Sequence, residues 1–237
     1  MKTLAINLTD CYCKEFDAIV LEINENKVIL DKTCFYATSG GQPNDIGFLI
    51  KDNEKYEVID VKKEDNEIVH VLKEHSLKVG DKVHGIINWD LRYKHMRMHI
   101  AQHLLSSLVL DEYDAETVGN QIGAETSRID FEPFRPNQDI LDSLIIKFNE
   151  IVDKKVPVKI TFMTREDVLI QIDAKRRNLF SRLPESIKEI RVIEIEDIDK
   201  CPCGGTHVEN TSEIGYIKIL STQNKGKGKT RLIFELS

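Results

Sequence analysis

The first third of the chain alternates hydrophobic and polar positions with a period of two, which is typical of β-strands. Turn-forming pairs such as Asp52-Asn53 separate short apolar stretches, and Val79-Gly80 precedes the last of them. The predicted strands cover residues 16–22, 27–30, 47–50, 56–61, 68–72 and 83–88. This pattern predicts a small antiparallel barrel or curled sheet as a first domain, residues 1–89.

The pattern changes to a helical period at Asp90, a residue suited to an amino-terminal cap, and we end this helix near Leu110. Its apolar residues recur at helical spacing and are Leu104, Leu105, Leu108 and Val109. His99 and His103 fall on one face of this helix, about one turn apart, or roughly 6 Å along the axis. Two side chains at this spacing suit one metal ion.

Strands and helices are interspersed in the remaining sequence. The predicted strands cover 118–122, 127–131, 156–163, 189–195, 214–220 and 230–236. A helix over residues 138–153 carries an apolar stripe that includes Leu144 and Phe148, and Thr164 to Asp167 resembles a capping box for another helix. Residues 90–237 are therefore predicted to form an α+β domain, with helices packed on a mostly antiparallel sheet.

Composition indicates a globular protein, because 41% of the 237 residues are hydrophobic and 31% are charged. No apolar run approaches the ~20 residues that a membrane span needs. The amino-terminal residues Met1 to Leu4 lack the apolar run of a secretory signal. We therefore expect no membrane association and a cytoplasmic location.

A second group of candidate ligands lies in Cys203-Gly204-Gly205-Thr206-His207. Two imidazoles, a thiolate and a third imidazole form a normal zinc set, which predicts a site of His99, His103, Cys203 and His207. The alternative is that each pair is local structure, packed in the helix or in a turn. His95 completes an i, i+4, i+8 series, but one ion cannot bind all three because the outer two lie roughly 12 Å apart.

Five cysteines, an odd number, do not make a disulfide framework. Cys11, Cys13, Cys201 and Cys203 are an alternative four-thiolate zinc site. A single intervening residue is a poor chelating spacing, and this site leaves the histidine pairs unexplained. Cys34 is interpreted as a small core residue.

The formal net charge of −7 argues against a general nucleic-acid binder, which is usually basic. A local basic segment nevertheless interleaves glycines with Lys225, Lys227, Lys229 and Arg231. A second basic group contains Lys175, Arg176, Arg177 and Arg182. Each is interpreted either as a phosphate-binding surface or as a solvated turn or helix end.

Several motifs in order along the chain resemble one family. They are His99-x-x-x-His103, Cys203-Gly-Gly-Thr-His207, and the stretches at 35–43, 122–131 and 208–215. Together they resemble the editing domain of alanyl-tRNA synthetase and the free-standing relatives of that domain, the AlaX proteins. Among these, the chain resembles the AlaX proteins of medium length. Ile100 departs from the family, which usually has Thr or Ser there. The resemblance implies a barrel ahead of the metal-binding domain, and it places His95 outside the ligand set, at the surface or beside a ligand.

The resemblance implies a zinc-dependent hydrolase that removes serine, and secondarily glycine, from mischarged tRNA(Ala). It further implies that Gly40 and Gly41 face the editing pocket, that Gln42 reaches the aminoacyl end, and that Thr33 lies near the side chain of the amino acid. It favours tRNA contact by the basic segment of Lys225 to Arg231. No nucleotide-binding motif is evident, so we expect no nucleotide cofactor. A monomer is favoured over an oligomer.

The sequence leaves three other functions to consider. A metalloprotease of the His-Glu-x-x-His class has a glutamate directly after the first histidine as general base, and Ile100 occupies that position here. The second alternative is not an enzyme but a zinc-stabilised RNA-binding module without catalytic activity. The third is editing of another aminoacyl-tRNA, such as seryl-tRNA made by threonyl-tRNA synthetase.

Overall fold

The structure is a computed structural model that describes residues 3–176, 180, 183, 185 and 187–237. Two compact units divide the chain, Met1–Tyr93 and Lys94–Ser237. Arg177 and Arg182 of the second basic group lie outside the described residues. The assignment of residues 1–89 and 90–237 to separate functional domains stays a prediction.

Six antiparallel strands of the first unit close into a barrel in the order β2-β3-β7-β6-β5-β8. These strands are β2 Glu15–Asn24, β3 Lys27–Leu30, β5 Gly47–Lys51, β6 Glu54–Glu64, β7 Glu67–Leu72 and β8 Lys82–Ile87. A short parallel pair accompanies them, β1 Leu4–Ala5 with β4 Lys32–Thr33. The predicted barrel is confirmed.

The barrel core follows directly from the period of two. In β2, Phe16, Ala18 and Val20 are buried while Asp17 and Ile19 between them are exposed. Alternate side chains on one face of each strand therefore fill the interior. Cys34, as predicted, is a core residue and is fully buried in this cluster.

A buried ion pair also stabilises the first unit. The Arg92 guanidinium is fully buried, and its Nε lies 2.9 Å from Asp45 Oδ1. The same guanidinium donates to the backbone carbonyls of Cys11 at 3.0 Å and Cys34 at 2.6 Å. Because all of these groups are removed from water, the pair depends on complete hydrogen bonding.

The second unit contains two antiparallel sheets. One has the order β14-β15-β10-β9 and the other β11-β12-β13. Their strands are β9 Glu116–Gln121, β10 Thr126–Glu132, β11 Val158–Thr164, β12 Glu189–Ile195, β13 Asp199–Pro202, β14 Ile217–Asn224 and β15 Thr230–Leu236. The α-helices among the described residues are α1 Trp89–Tyr113, which crosses the boundary between the units at residues 93 and 94, α2 Gln138–Asp153 and α3 Arg165–Gln171. The α+β class is confirmed. No helix in the described part of the chain is long and apolar enough to cross a membrane.

The predicted limits of helix α2 agree with the structure, whereas those of helix α1 do not. The α1 helix begins before Asp90, because Asn88 accepts a hydrogen bond from the Leu91 N–H at 3.2 Å and supplies the cap. At α3 the predicted cap is correct, since Thr164 accepts from the Asp167 N–H at 3.1 Å. The strand predicted at 214–220 begins only at Ile217, because a capped 3₁₀ turn occupies Thr211–Glu213.

Candidate metal centre

Two elements distant in sequence bring four candidate ligands together in the second unit. His99 and His103 come from α1, while Cys203 and His207 come from the loop after β13. One ligand atom from each residue lies within 4.8 Å of the other three. The four residues predicted as a set therefore form one cluster.

The distances within this cluster fit a tetrahedral zinc ion. Cys203 Sγ lies 3.5 Å from His99 Nε2 and 3.4 Å from His207 Nε2. Bonds of about 2.3 Å to sulfur and about 2.05 Å to nitrogen, at a tetrahedral angle, separate the two ligand atoms by about 3.6 Å. The Nε2 atom of His103 is buried and has no hydrogen-bond partner among the described residues. A metal ion would satisfy this atom.

Backbone contacts hold the cysteine loop. The Cys203 N–H donates to the Arg191 carbonyl at 3.1 Å, and Arg191 Nη1 donates back to the Cys203 carbonyl at 2.6 Å. The Gly205 N–H lies 3.4 Å from Cys203 Sγ, where it stabilises a thiolate. Arg191, which sequence reasoning missed, therefore fixes the loop that carries two of the four ligands.

The electrostatics favour the ligand forms of three of these four side chains. Burial lowers the pKa of His99 and lowers that of His207 well below its ordinary value. Burial alone raises the pKa of Cys203, but the adjacent His99 and His207 lower it, so the net pKa lies well below its ordinary value. Neutral imidazoles and a thiolate are the protonation states that bind zinc.

A second cluster shares His103 but uses its other nitrogen. His103 Nδ1 lies 3.1 Å from Asp199 Oδ2 and 3.2 Å from Cys201 Sγ. Burial lowers the pKa of His103, but Cys201 and the hydrogen bond to Asp199 raise it well above its ordinary value. Burial also raises the pKa of Cys201 to about 12, so this thiol keeps its proton at neutral pH. Cys203 is therefore suited to bind a metal as a thiolate, whereas Cys201 is a protonated thiol that can donate a hydrogen bond.

The four-thiolate alternative has no support. Within the described ranges, neither candidate metal cluster contains Cys11 or Cys13. Cys11 Sγ instead lies 3.5 Å from the Asn7 carbonyl, and Cys13 Sγ lies 3.3 Å from the Glu15 carbonyl. His95 belongs to neither cluster, as predicted, and it is buried. Of its two predicted positions, the one at the surface is therefore wrong, and the one beside a ligand stays a prediction.

The glycine motif of the first unit forms a tight turn. Ser39 and Gln42 exchange backbone hydrogen bonds of 3.1 and 2.9 Å, and Gly40 and Gly41 between them have φ angles of 57° and 85°. Two central residues with positive φ define a type I′ turn, which strongly prefers glycine. The turn itself therefore explains both glycines. Gln42 is fully buried, whereas Gly40 and Gly41 are exposed.

Thr33 is fully buried in the first unit beside a histidine that sequence reasoning missed. Its Oγ1 lies 2.9 Å from His70 Nε2 and accepts from the Phe35 N–H at 3.1 Å. His70 Nδ1 lies 3.2 Å from the Val28 carbonyl, which only accepts, so Nδ1 carries the hydrogen and Thr33 donates to Nε2. Burial lowers the pKa of His70 to about 4, which keeps it neutral. The one available signal was a histidine in the apolar stretch of residues 68–72.

The basic segment divides into an exposed tip and a paired base. Lys225 and Lys227 lie exposed in the turn between β14 and β15, and no ion pair links either lysine to another described residue. Arg231 instead donates to both carboxylate oxygens of Asp130, at 2.7 and 2.9 Å, and Lys229 Nζ lies 3.7 Å from Glu132. The tip, Lys225 and Lys227, is therefore the part that offers free cations.

Comparison with known proteins gives relatives of the full chain. The alanyl-tRNA editing protein AlaX-M of Methanosarcina barkeri is 39% identical, and the match covers 99% of each chain. The AlaX-M protein of Saccharolobus solfataricus is 42% identical over 98% of each chain. This chain belongs to the AlaX-M family. The resemblance inferred from its motifs is therefore confirmed.

Family models and a longer relative agree with AlaX-M membership. The model for class II (A) tRNA synthetases matches residues 4–91. The model for the second additional domain of threonyl and alanyl tRNA synthetases matches residues 190–233, which include Cys203 and His207. An alanine–tRNA ligase of Methanococcus maripaludis is 40% identical over 92% of this chain but only 24% of its own length. The AlaX-M chain thus corresponds to about a quarter of that ligase.

Proposed function

We propose that this AlaX-M protein is a zinc-dependent hydrolase that removes serine, and secondarily glycine, from mischarged tRNA(Ala). The convergence of His99, His103, Cys203 and His207 carries this proposal. The name of its relatives, alanyl-tRNA editing protein, supports the substrate class. A synthetase pocket rejects near-isosteres poorly, so a second site is needed to hydrolyse the wrong product.

The chain's own contribution is a preorganised set of donors. The lowered pKa values of His99, His207 and Cys203 keep their lone pairs available at neutral pH. If three of these side chains bind zinc and the fourth position stays open, the ion would polarise the ester carbonyl or lower the pKa of a bound water to about 7. If all four bind, it would shape the pocket or recognise the amino group of the substrate instead. His103 and Cys203 are the two members of this set that are only partly buried.

The proposed preference for serine depends on Thr33. Its hydroxyl hydrogen is donated to His70, and one lone pair accepts from Phe35. The Thr33 hydroxyl can therefore take part in a further hydrogen bond only as an acceptor. The hydroxyl of a serine substrate can donate such a bond, whereas the methyl group of alanine cannot. The pocket roles of Gln42, Gly40 and Gly41 stay predictions that rest on the resemblance.

Lys225 and Lys227 support tRNA as the carrier of the substrate. Two exposed ammonium groups in a glycine-containing hairpin can contact phosphates without breaking an internal ion pair. Lys229 and Arg231 are proposed to support this hairpin, since they pair with Glu132 and Asp130. A local patch of this kind is compatible with the overall charge of −7.

The test measures hydrolysis of seryl-tRNA(Ala) and alanyl-tRNA(Ala) by zinc-loaded wild type, Cys203→Ala and Cys13→Ala. We expect wild type and Cys13→Ala to cleave the seryl ester, and Cys203→Ala to lose both bound zinc and this activity. Cys13→Ala is the matched control because it also removes a thiol, at a residue that belongs to neither candidate metal cluster. If both variants cleave seryl-tRNA(Ala) like wild type, the proposed centre is wrong.

The same assay separates the rival functions. A non-catalytic RNA-binding module would bind tRNA, cleave neither ester and unfold when zinc is removed. The family model of residues 190–233 also covers threonyl tRNA synthetases, so seryl-tRNA(Thr) is included as a third substrate. Faster hydrolysis of seryl-tRNA(Thr) than of seryl-tRNA(Ala) would assign the protein to the other editing reaction.

A further inference from the structure

A buried carboxylate lies directly behind one of the four candidate ligands. Asp199, the first residue of β13, is 6% exposed, and its Oδ2 lies 3.1 Å from His103 Nδ1. The same oxygen accepts from the Cys201 thiol at 3.4 Å, and Oδ1 accepts from Arg176. Asp199 is therefore surrounded by three donors.

This arrangement decides which nitrogen of His103 carries the hydrogen. An ionised carboxylate only accepts hydrogen bonds, so Nδ1 must donate to Asp199. In the neutral imidazole the lone pair is then on Nε2, the buried atom that has no hydrogen-bond partner among the described residues. A histidine that binds a metal commonly donates its other N–H to a carboxylate, which fixes both tautomer and ring orientation.

A chain of polar contacts keeps Asp199 in position. Arg176 binds both carboxylate oxygens of Asp111, at 2.7 and 2.8 Å, while it donates to Asp199. Ser107 donates to the carbonyl of Ile198, the residue before Asp199, at 2.8 Å. Because His103, Ser107 and Asp111 are spaced four residues apart on α1, one helix face anchors this whole chain.

The same contacts argue against Asp199 as a metal ligand. A site of His103, Asp199 and Cys201 would use Nδ1, and it would compete with the site of four donors for the same imidazole. Arg176 already neutralises the Asp199 carboxylate, and the Cys201 thiol donates its hydrogen to it. Asp199 is thus placed to orient a ligand rather than to be one.

We propose that Asp199 is the positioning residue of the metal centre: it holds His103 as the Nδ1–H tautomer with Nε2 directed at the ion. This inference rests on the proposed zinc site. In Asp199→Asn only one side-chain oxygen remains as an acceptor, and Arg176 and His103 compete for it. Because Arg176 can only donate, the oxygen faces Arg176 and the NH₂ group faces Nδ1. The variant therefore favours the Nε2–H tautomer, which cannot bind zinc through Nε2.

The first experiment measures zinc affinity by competition with a chromophoric chelator. Asp199→Asn is compared with wild type and with Asp197→Asn. Asp197 is a matched control, because it is exposed, lies two residues away and has a φ angle of 59°, which asparagine tolerates. We expect Asp199→Asn to bind zinc about 10- to 100-fold more weakly, and Asp197→Asn to match wild type.

The second measurement needs no variant. Two-dimensional ¹H–¹⁵N NMR of the histidine side chains in zinc-loaded wild type should show a hydrogen on His103 Nδ1 and none on Nε2. A hydrogen on Nε2, or an Asp199→Asn protein that folds and binds zinc like Asp197→Asn, overturns the inference. If wild type itself binds no zinc, the proposed metal centre fails instead, so the two failures are distinguishable.

Discussion

Replacing His70 with glutamine should flatten the dependence of barrel stability on pH. His70 is fully buried, with a pKa of about 4 against an ordinary value of 6.5. Between these two values the unfolded chain binds a proton that the folded barrel does not. The free energy of unfolding therefore falls as the pH falls from 6.5 towards 4.

The structure sets the size of this effect. A pKa of about 4 in the folded state and 6.5 in the unfolded state corresponds to a loss of about 3 kcal/mol when the pH passes below both values. By pH 5 the loss is already about 2 kcal/mol, while at pH 7.5 it is close to zero. Glutamine removes the titrating group and keeps an acceptor for the Thr33 hydroxyl.

The measurement is urea unfolding at several pH values between 7.5 and 5, with the fluorescence of Trp89 as the signal that reports unfolding. Trp89 is the single tryptophan and packs against the barrel core, so it reports on the first unit. Between pH 7.5 and pH 5, we expect the free energy of unfolding to fall by about 2 kcal/mol more in wild type than in His70→Gln. Equal losses in the two proteins would refute the argument that His70 is buried in its neutral form.

A partly exposed histidine of the barrel, His84, provides a control of opposite sign. The hydrogen bond from His84 to Asp17, 2.8 Å long, raises the pKa of His84 above its ordinary value. Its stabilisation is fully present below pH 6.5 and is lost as the pH rises through the higher folded-state pKa. His84→Gln should therefore make the loss of stability at pH 5 slightly larger, and the effect should be small because water screens the pair.

The remaining predictions concern the buried ion pair and the basic hairpin. Asp45→Asn should destabilise the barrel by about 3–5 kcal/mol in urea unfolding, because it leaves the Arg92 charge buried without its partner; a change below about 1 kcal/mol would contradict this. Changing Lys225 and Lys227 together to glutamine should weaken tRNA binding and reduce the slope of log affinity against log salt by about 2, as measured by fluorescence anisotropy. Lys218→Gln, an exposed control on the same sheet that pairs with Glu235, should leave that slope unchanged.

Local chemistry made much of the fold predictable from the sequence. The limits of β3, α2, β12 and β15 match the predicted ranges, because periodicity, turn residues and caps act over a few neighbouring residues. The same locality put His99 and His103 on one helix face. The cap predicted for α1, Asp90, is wrong, because the side chain of Asn88 accepts from the Leu91 N–H and the helix begins earlier.

The tertiary structure decided which groups distant in sequence meet, and in which chemical state. About a hundred residues separate His99 from Cys203, and only the packing of α1 against the loop after β13 brings their ligand atoms to 3.5 Å. No local signal gave Asp199 a role behind His103, because an aspartate at the start of a strand is common in any chain. A histidine in the apolar stretch of residues 68–72 marked His70, but nothing local indicated its contact with Thr33. Their roles come from burial, which removes water and leaves one neighbouring group to donate or accept each hydrogen.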